Sequence, residues 1–488
     1  MFSVDVPRGP DGEPLVPAEV WVATPVAAQG LIVALVAGLA EVRALRDEVR
    51  ELRAQLGKHS GNSSRPPSSD PLQPPRRPAA PASGRARGGQ PGHVAHQRTI
   101  VPLERVDQVI DHRPATCTRC AAQLRATPLG EGDVVRHQVT EFPPVRAMVT
   151  EHRLHRVVCP RCGQTTRATL PPDVPAGAFG PRLQATVAVL SGQYHLSQRQ
   201  VADVCGTLLD APLAASSVAG LCQATAAALA APVAAVQATL PAAAAVNADE
   251  TRWPQAGQTQ WLWVVVTGLV TVFAIAASRG SRVIKDLLGE DYGGVLGSDR
   301  YAGYAWLDVA FRQVCWAHLK RDFQGLVDRG GAAQEVGTAA LALVRDLFTA
   351  WHQYRDGALD RLGLQATMRP VQDAFAAVLD AGARCPDQKA AGLCRALDRL
   401  WPALWTFVDE AGVDPTNNAA ERALRPAVLW RKGSFGTQSD GGARFVERLL
   451  TVTATCKQQG RSALDYLTAV CTAAQFGQPP PSLVPVTA

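Results

Sequence analysis

The sequence predicts a multidomain α/β protein whose core is a mixed five-stranded sheet with helices. Three observations predict it. Residues 242–320 change from a helical to a strand-like apolar period: AAAAVNAD, QWLWVVVTG and VTVFAIAAS, then GGVLGSD and FRQVCWAHL. The chain on either side is helical in pattern and rich in Ala, Leu and Arg. Upstream stand two C-x-x-C pairs, a spacing suited to a metal-stapled module. The 488 residues suffice for several domains and at least one sizeable core.

Composition narrows the class. Hydrophobic residues make up 47% and charged residues 19%, as in soluble globular proteins. There are 11 Cys, but only four are paired in C-x-x-C spacing. That favours metal binding in a reducing compartment over a disulfide framework. The longest apolar run, Gly30 to Ala40, is shorter than the roughly 20 residues a membrane-spanning helix needs. Asp5, Asp11 and Glu13 replace the basic start of a secretory signal. A cytoplasmic protein without a membrane partner is expected. The abundance of Arg over Lys and of Ala reads as coding bias of a GC-rich bacterial genome.

Residues 1–56 form the first unit. Leu35, Val42, Val49 and Leu56 are spaced by heptads, and Leu31, Gly38, Leu45 and Leu52 form a second seam. This predicts a parallel two-stranded coiled coil and hence a homodimer or higher oligomer. A single amphipathic helix docked on its own chain is the alternative. Residues 57–98 follow as a Pro-, Gly- and Ser-rich linker. It carries Lys58, Arg65, Arg76, Arg77, Arg85, Arg87 and Arg98 against Asp70 alone, which accounts for the chain's whole net charge of +6. A disordered basic linker is expected, either tracking a nucleic-acid backbone or serving as a solvated spacer.

Residues 99–175 hold Cys117-x-x-Cys120 and Cys159-x-x-Cys162. Two such knuckles can hold one tetrahedral Zn²⁺ through four thiolates, with no open position, so the zinc would be structural. Four free thiols is the other reading. Residues 176–240 read as helices broken near His195, with Ser197 as an N-cap, a turn at Asp210–Leu213 and a further helix from Ser216 or Ser217. Helix, turn and helix resembles a DNA-binding helix-turn-helix, although Ala-rich helical hairpins are common.

Residues 241–324 carry the first part of the sheet. Three antiparallel strands, the short helix SRVIKDLLG, a strand, a helix and a strand are the order of a ribonuclease-H-like fold, with the fourth strand parallel to the first. Residues 325–412 are a long helical insertion. Residues 413–476 complete the core with helices interrupted by Pro426 and by the loop GSFGTQSDGG, and 477–488 are a tail.

Two acids sit at predicted strand ends, Asp249 on the first strand and Asp299 on the fourth. Neighbouring strands would bring them to one sheet edge. Close carboxylates repel unless a divalent cation lies between them, and Mg²⁺ or Mn²⁺ prefers oxygen ligands. A third ligand is expected from a helix. Glu421, behind the capping residues Thr416, Asn417 and Asn418, is preferred over Glu410 and Glu447. Such a trio suits metal-dependent phosphoryl transfer. Strand-end Asp residues are also common turn formers.

At these residues the chain resembles an insertion-sequence-66 family transposase of the DDE type. The matching pieces are DET, SDRYAGY, CWAHLKRDF, NNAAERALRPAVLWRKGSFGT, GKHSGNSSRPPSSD and the paired C-x-x-C region. The resemblance implies that Asp249, Asp299 and Glu421 are the catalytic acids. It implies a metal-dependent nuclease and polynucleotidyl transferase that binds terminal inverted repeats and target DNA, cuts and joins strands, and works beside accessory proteins of the same element. It further implies that the cysteine module helps bind the element's ends.

Cys315 and His318 match a C-x-x-H motif. Read as part of a strand, their side chains point to opposite faces, giving a packing Cys and a His at the site's edge or in a structural role. Arg431 and Lys432 are candidate phosphate contacts or plain surface charges. An alternative reading is an inactive or repurposed zinc-containing DNA-binding protein derived from a transposase. A nuclease of the same fold without strand transfer is a third.

Overall fold

In the computed structural model of the chain, residues 6–8, 13–57, 100–124 and 134–485 are described. The basic linker reading for 57–98 lies almost wholly outside them. The described chain divides into two units, one of residues 76–174 and 196–220 and one of residues 1–75, 175–195 and 221–488.

The larger unit opens with helix α1 (Ala18–Ala23) and the long helix α2 (Val26–Leu56). Its heptad positions Leu31, Leu35, Val42, Leu45, Val49, Leu52 and Leu56 are all exposed. Within Val26–Arg50 a window of 18 residues reaches a mean hydropathy of 1.6, so by length and composition only this helix could cross a membrane. Its longest uninterrupted apolar run is Gly30–Ala40. Val26, Ala27, Ala28 and Gln29 precede that run, and Glu41, Arg43, Arg46, Asp47, Glu48 and Arg50 follow it.

The smaller unit carries strands β1 (Arg156–Val158) and β2 (Thr165–Arg167), an antiparallel pair that flanks the second cysteine knuckle. The larger unit resumes with α3 (Pro181–Gly192), which ends before His195, a residue at φ 60°. In the smaller unit, α4 (Gln198–Leu209) is closed by a capping box of Ser197 and Gln200. Asp210 then takes a left-handed conformation, and α5 (Ala215–Ala228) begins five residues later. The expected turn is present. Every side chain of α5 is uncharged, because its sequence is ASSVAGLCQATAAA.

After α6 (Ala230–Gln237) come β3 (Ala245–Gln255), β4 (Gln258–Val266), β5 (Thr271–Ala276), α7 (Ser281–Leu288), β6 (Val295–Ser298) and β7 (Arg312–Val314). The sheet order is β5-β4-β3-β6-β7. The first three strands form an antiparallel meander, and β6 and β7 are parallel to β3. The five-stranded mixed sheet is therefore as the sequence predicts.

Three local expectations fail. Two short 3₁₀ turns, Ala302–Tyr304 and Val309–Phe311, stand between β6 and β7 where a helix was expected. The fifth strand is only three residues long. Cys315 already caps α8 (Trp316–Arg329), so the C-x-x-H segment is the start of a helix, not a strand. The apolar run VCWAHL fits both periods, and length alone could not separate them. Finally, Pro426 does not interrupt its helix.

Helices α8, α9 (Gly331–Arg355), α10 (Arg361–Ala383), α11 (Gln388–Asp398) and α12 (Trp401–Asp409) share one core with the β6–β7 edge of the sheet. Trp316, Phe323, Phe375, Trp405 and Phe407 lie at its centre. The insertion is thus a second core welded to the sheet. Its two ends meet: Trp316 N donates to Pro415 O at 2.9 Å.

Helices α13 (Asn418–Ser434) and α14 (Asp440–Gln458) pack over β3, β4 and β5 through Ala420, Leu424, Ala427, Val446 and Leu450. α13 runs unbroken through exposed Pro426, where water can satisfy the carbonyl the proline leaves unpaired. α15 (Ala463–Gln475) closes the unit.

Candidate active site

Side chains alternate across β3. Val246, Ala248 and Glu250 are buried on one face; Asn247, Asp249 and Thr251 are half-buried on the other. α13 covers the Asn247 face. Arg431 Nη1 on that helix donates to Thr251 Oγ1 at 2.9 Å and to the Arg252 carbonyl. Trp430 meets Trp253 edge-on.

The parallel pairing of β3 with β6 ends at Asn247 opposite Gly297. Two residues further along each chain come Asp249, still on β3, and Asp299, just past the end of β6, near enough for the Asp299 charge to raise Asp249. Asp299 follows the last residue of β6, as expected. Asp249 does not end its strand: β3 continues to Gln255 in the hairpin with β4. It lies instead where the parallel neighbour stops, which opens the sheet beside it. Asp249 Oδ1 accepts from Glu250 N at 2.9 Å, and Asp299 Oδ1 accepts from Tyr301 N at 2.9 Å.

Glu421 lies in the first turn of α13. The capping expectation is partly wrong. Asn417 is the N-cap residue, but its side chain makes no cap bond and donates instead to Ala248 O at 2.7 Å. Asn417 N donates to Cys315 Sγ at 3.1 Å. Asn417 thereby ties the start of α13 to both β3 and the start of α8. Glu421 Oε1 is 3.5 Å from His318 Nδ1 and 3.6 Å from Arg321 Nη2, two residues one turn apart on α8. Of its rivals, Glu447 is buried and accepts from Ile275 N and Arg444, fastening α14 to β5. Glu410 caps the end of α12 and is exposed.

The electrostatics follow from this crowding. Burial, then the charges of Glu250, Asp299 and Glu421, push the Asp249 carboxyl up to about 8. Burial, followed by the Arg321 charge, lowers His318. Asp249 senses both Asp299 and Glu421, but among the described residues the three are not drawn into a tight cluster. Among the described residues, the group whose ligand atoms all lie within 4.8 Å of one another is Cys315, His318 and Glu421. The helical start of α8 brings Cys315 and His318 to one side, where a strand would have parted them.

Behind β3 lies a second layer that the sequence reading passed over. Glu250 accepts from Arg279 at 2.7 and 2.8 Å and from the Tyr304 hydroxyl. Arg279 stacks on Tyr301, 3.9 Å from the ring centroid, and on Trp261 at 4.9 Å. This layer holds the segment after Asp299 against the back of β3. The only sequence signal was a second acid next to Asp249 in an alternating strand.

The loop after α13 completes the docking. Phe435 and Gly436 are left-handed, and a side chain at Gly436 would meet Pro254 O at 2.0 Å. Thr437 N donates to Pro254 O at 3.0 Å, and Ala256 N donates to Thr437 O at 2.8 Å. Arg431, offered by the sequence as a phosphate contact, is thus engaged with β3, while Lys432 is exposed.

In the smaller unit, each knuckle is a tight turn. Ala121 N donates to Cys117 O and Gly163 N to Cys159 O, both at 2.9 Å. Backbone N–H groups of Arg119 and Cys120, and of Arg161 and Cys162, hold the Cys117 and Cys159 thiols below their ordinary value. The donor set suits zinc, although the two knuckles are not brought together as one four-sulfur group.

Sheet order, an acid-lined edge and cysteine knuckles together define the class: a mixed α/β protein with a zinc-finger-type module. Residues 176–445 match the family described as the IS66 family of transposases, and residues 114–163 match the zinc-finger binding domain of transposase IS66. The chain belongs to the IS66 transposase family. Residues 22–99 match a family of unknown function. The uncharacterized protein y4hP of Sinorhizobium fredii is 28% identical over 389 residues, covering 72% of this chain and 69% of that protein. The uncharacterized protein y4qI of the same organism is 26% identical over 266 residues, and the chain spans only 48% of its length.

Proposed function

We propose that this transposase cuts and joins DNA at a metal-dependent site formed by Asp249, Asp299 and Glu421 in a ribonuclease-H-like core. The observation that supports the reading is that Asp249 lies where β6 stops and feels the charges of both Asp299, just past β6, and Glu421, in the first turn of α13. Hard oxygen donors and an Asp249 carboxyl that resists ionisation fit a divalent cation, which would relieve the repulsion. Asp249, Asp299 and Glu421 would hold Mg²⁺ or Mn²⁺, which supplies positive charge to activate a water or 3′-hydroxyl and to stabilise the leaving oxygen. Asn417 sets the height of Glu421 above the sheet. Arg321, 3.6 Å from Glu421 Oε1, offsets negative charge beside that carboxylate. Water and a 3′-hydroxyl occupy equivalent nucleophile positions, so one site serves cleavage and strand transfer.

Zinc held by Cys117, Cys120, Cys159 and Cys162 would fold the smaller unit for binding terminal inverted repeats, with α4 and α5 as a helix-turn-helix. The uncharged α5 is better suited to apolar base contacts than to phosphate contacts. Lys432 and the linker cations supply sequence-independent attraction. The exposed heptads of α2 support a coiled-coil homodimer or higher oligomer, and accessory proteins of the element are further partners.

The test is to incubate the full chain with DNA bearing the element ends and Mg²⁺ or Mn²⁺, and to map nicks and joined products. Metal-dependent nicks at the ends, followed by joined products, are expected. Binding without nicks would favour the repurposed DNA-binding protein, and nicks without joining a plain nuclease.

A further inference from the structure

We propose that Cys315, His318 and Glu421 form a zinc site distinct from both the cysteine knuckles and the carboxylate pair. Their ligand atoms all lie within 4.8 Å of one another. In a tetrahedral zinc site, Zn–S of about 2.3 Å and Zn–N of about 2.0 Å put ligand atoms roughly 3.3–3.8 Å apart. His318 Nδ1 and Glu421 Oε1, at 3.5 Å, already stand at that separation.

The chemistry of the donors selects the ion. A thiolate and an imidazole favour a borderline-soft ion such as Zn²⁺ over Mg²⁺, which prefers an all-oxygen shell. Two observations beyond proximity point to a ligand. His318 Nδ1 is a buried atom without a hydrogen-bond partner. Cys315 Sγ accepts a backbone N–H from Asn417, the support a thiolate ligand needs. The frame is rigid on both sides: Cys315 N donates to Ser298 O at 2.9 Å, and Asn417 is clamped to Ala248. Three protein ligands leave a fourth position open to water. Arg321 Nη2, 3.6 Å from Glu421 Oε1, is the cation that zinc must displace.

Glu421 is then shared. On the reading given under Proposed function, zinc here would compete with the hard cation for that carboxylate. The zinc site itself does not depend on that reading.

The test counts metal on the full chain. Wild type, Cys315→Ser, His318→Gln and Asp249→Asn are loaded with Zn²⁺, desalted and measured by elemental analysis. The same proteins are loaded with Co²⁺ for absorption spectra, and circular dichroism reports their folding. His318 is partly exposed, so its variant should stay folded. Cys315→Ser and His318→Gln are each expected to hold about one zinc fewer per chain than wild type. Cys315→Ser should also show a weaker thiolate-to-cobalt band, and Asp249→Asn should match wild type. Equal zinc in wild type and folded His318→Gln would overturn the site. So would the same loss in Asp249→Asn, which would put the ion among the carboxylates. Failure of DNA cleavage in Mg²⁺ would leave these counts untouched, so the two ideas fail separately.

Discussion

Asp249 and Glu250 are adjacent on one strand, yet the fold treats them in opposite ways. Glu250 faces a closed layer: Arg279 and Tyr304 satisfy it, and aromatic rings cover its guanidinium partner. Asp249 faces an open edge, where its surroundings offer one backbone N–H and further negative charge. Both carboxyls are raised, in each case first by burial. Only Glu250 has side-chain partners that offset it. The difference teaches that Glu250 is an acid the fold supplies with its own cation, whereas the fold supplies Asp249 with none; on the proposed reading a metal ion takes that place.

The sharpest way to break this comparison is to neutralise each acid in turn. Asp249→Asn should lower metal-dependent nicking roughly a thousandfold, since a cation at a phosphoryl centre contributes several kcal/mol. Its thermal midpoint in chelator should not fall. Nicking within a few-fold of wild type would refute the assignment. Glu250→Ala should act the other way. Arg279 and Tyr304 lose their acceptor, costing about 2–3 kcal/mol by denaturant melts, a figure moderated because Arg279 is 39% exposed. A neutral Glu250→Ala would mean that the back layer is ornamental.

Acidity sharpens the contrast next. Between the ordinary value of 3.8 and about 8, the folded chain keeps a proton on Asp249 that the unfolded chain has lost. Asp249 therefore weakens the fold progressively as pH rises through that window, by roughly 1.4 kcal/mol per pH unit and several kcal/mol across it. Melting curves in chelator should show Asp249→Asn gaining on wild type as pH rises, and Mg²⁺ should close the gap. Parallel curves at every pH would show that Asp249 is not strained. The smallest effect concerns the clamp. Asn417→Ala leaves Ala248 O without its donor and should cost about 1 kcal/mol, while cleavage falls by more than that loss of stability explains. Activity lost only in proportion to unfolding would reduce Asn417 to a packing residue.

Much of the fold was legible in the sequence. The strand periods gave the meander and the order of the sheet, and Ser197 gave a helix start to the residue. Boundaries inside short apolar runs were not legible. VCWAHL satisfies strand and helix alike, and the insertion core that draws Trp316 inward decides for helix. Glu250 stands in the sequence only as the middle of DET, and nothing local tells which acid of an adjacent pair faces the core.

By itself the sequence determined the chemistry on offer: two aspartates on neighbouring strands, a glutamate at a helix start, and two cysteine knuckles. Residue identity and local period suffice for that. The tertiary structure alone decided how Glu421 returns to Asp249 and Asp299 across the long helical insertion. That excursion begins and ends on paired residues, with Trp316 bonded to Pro415 and Cys315 to Asn417. Such closure depends on contacts between residues far apart in the chain, and local pattern carries no information about them.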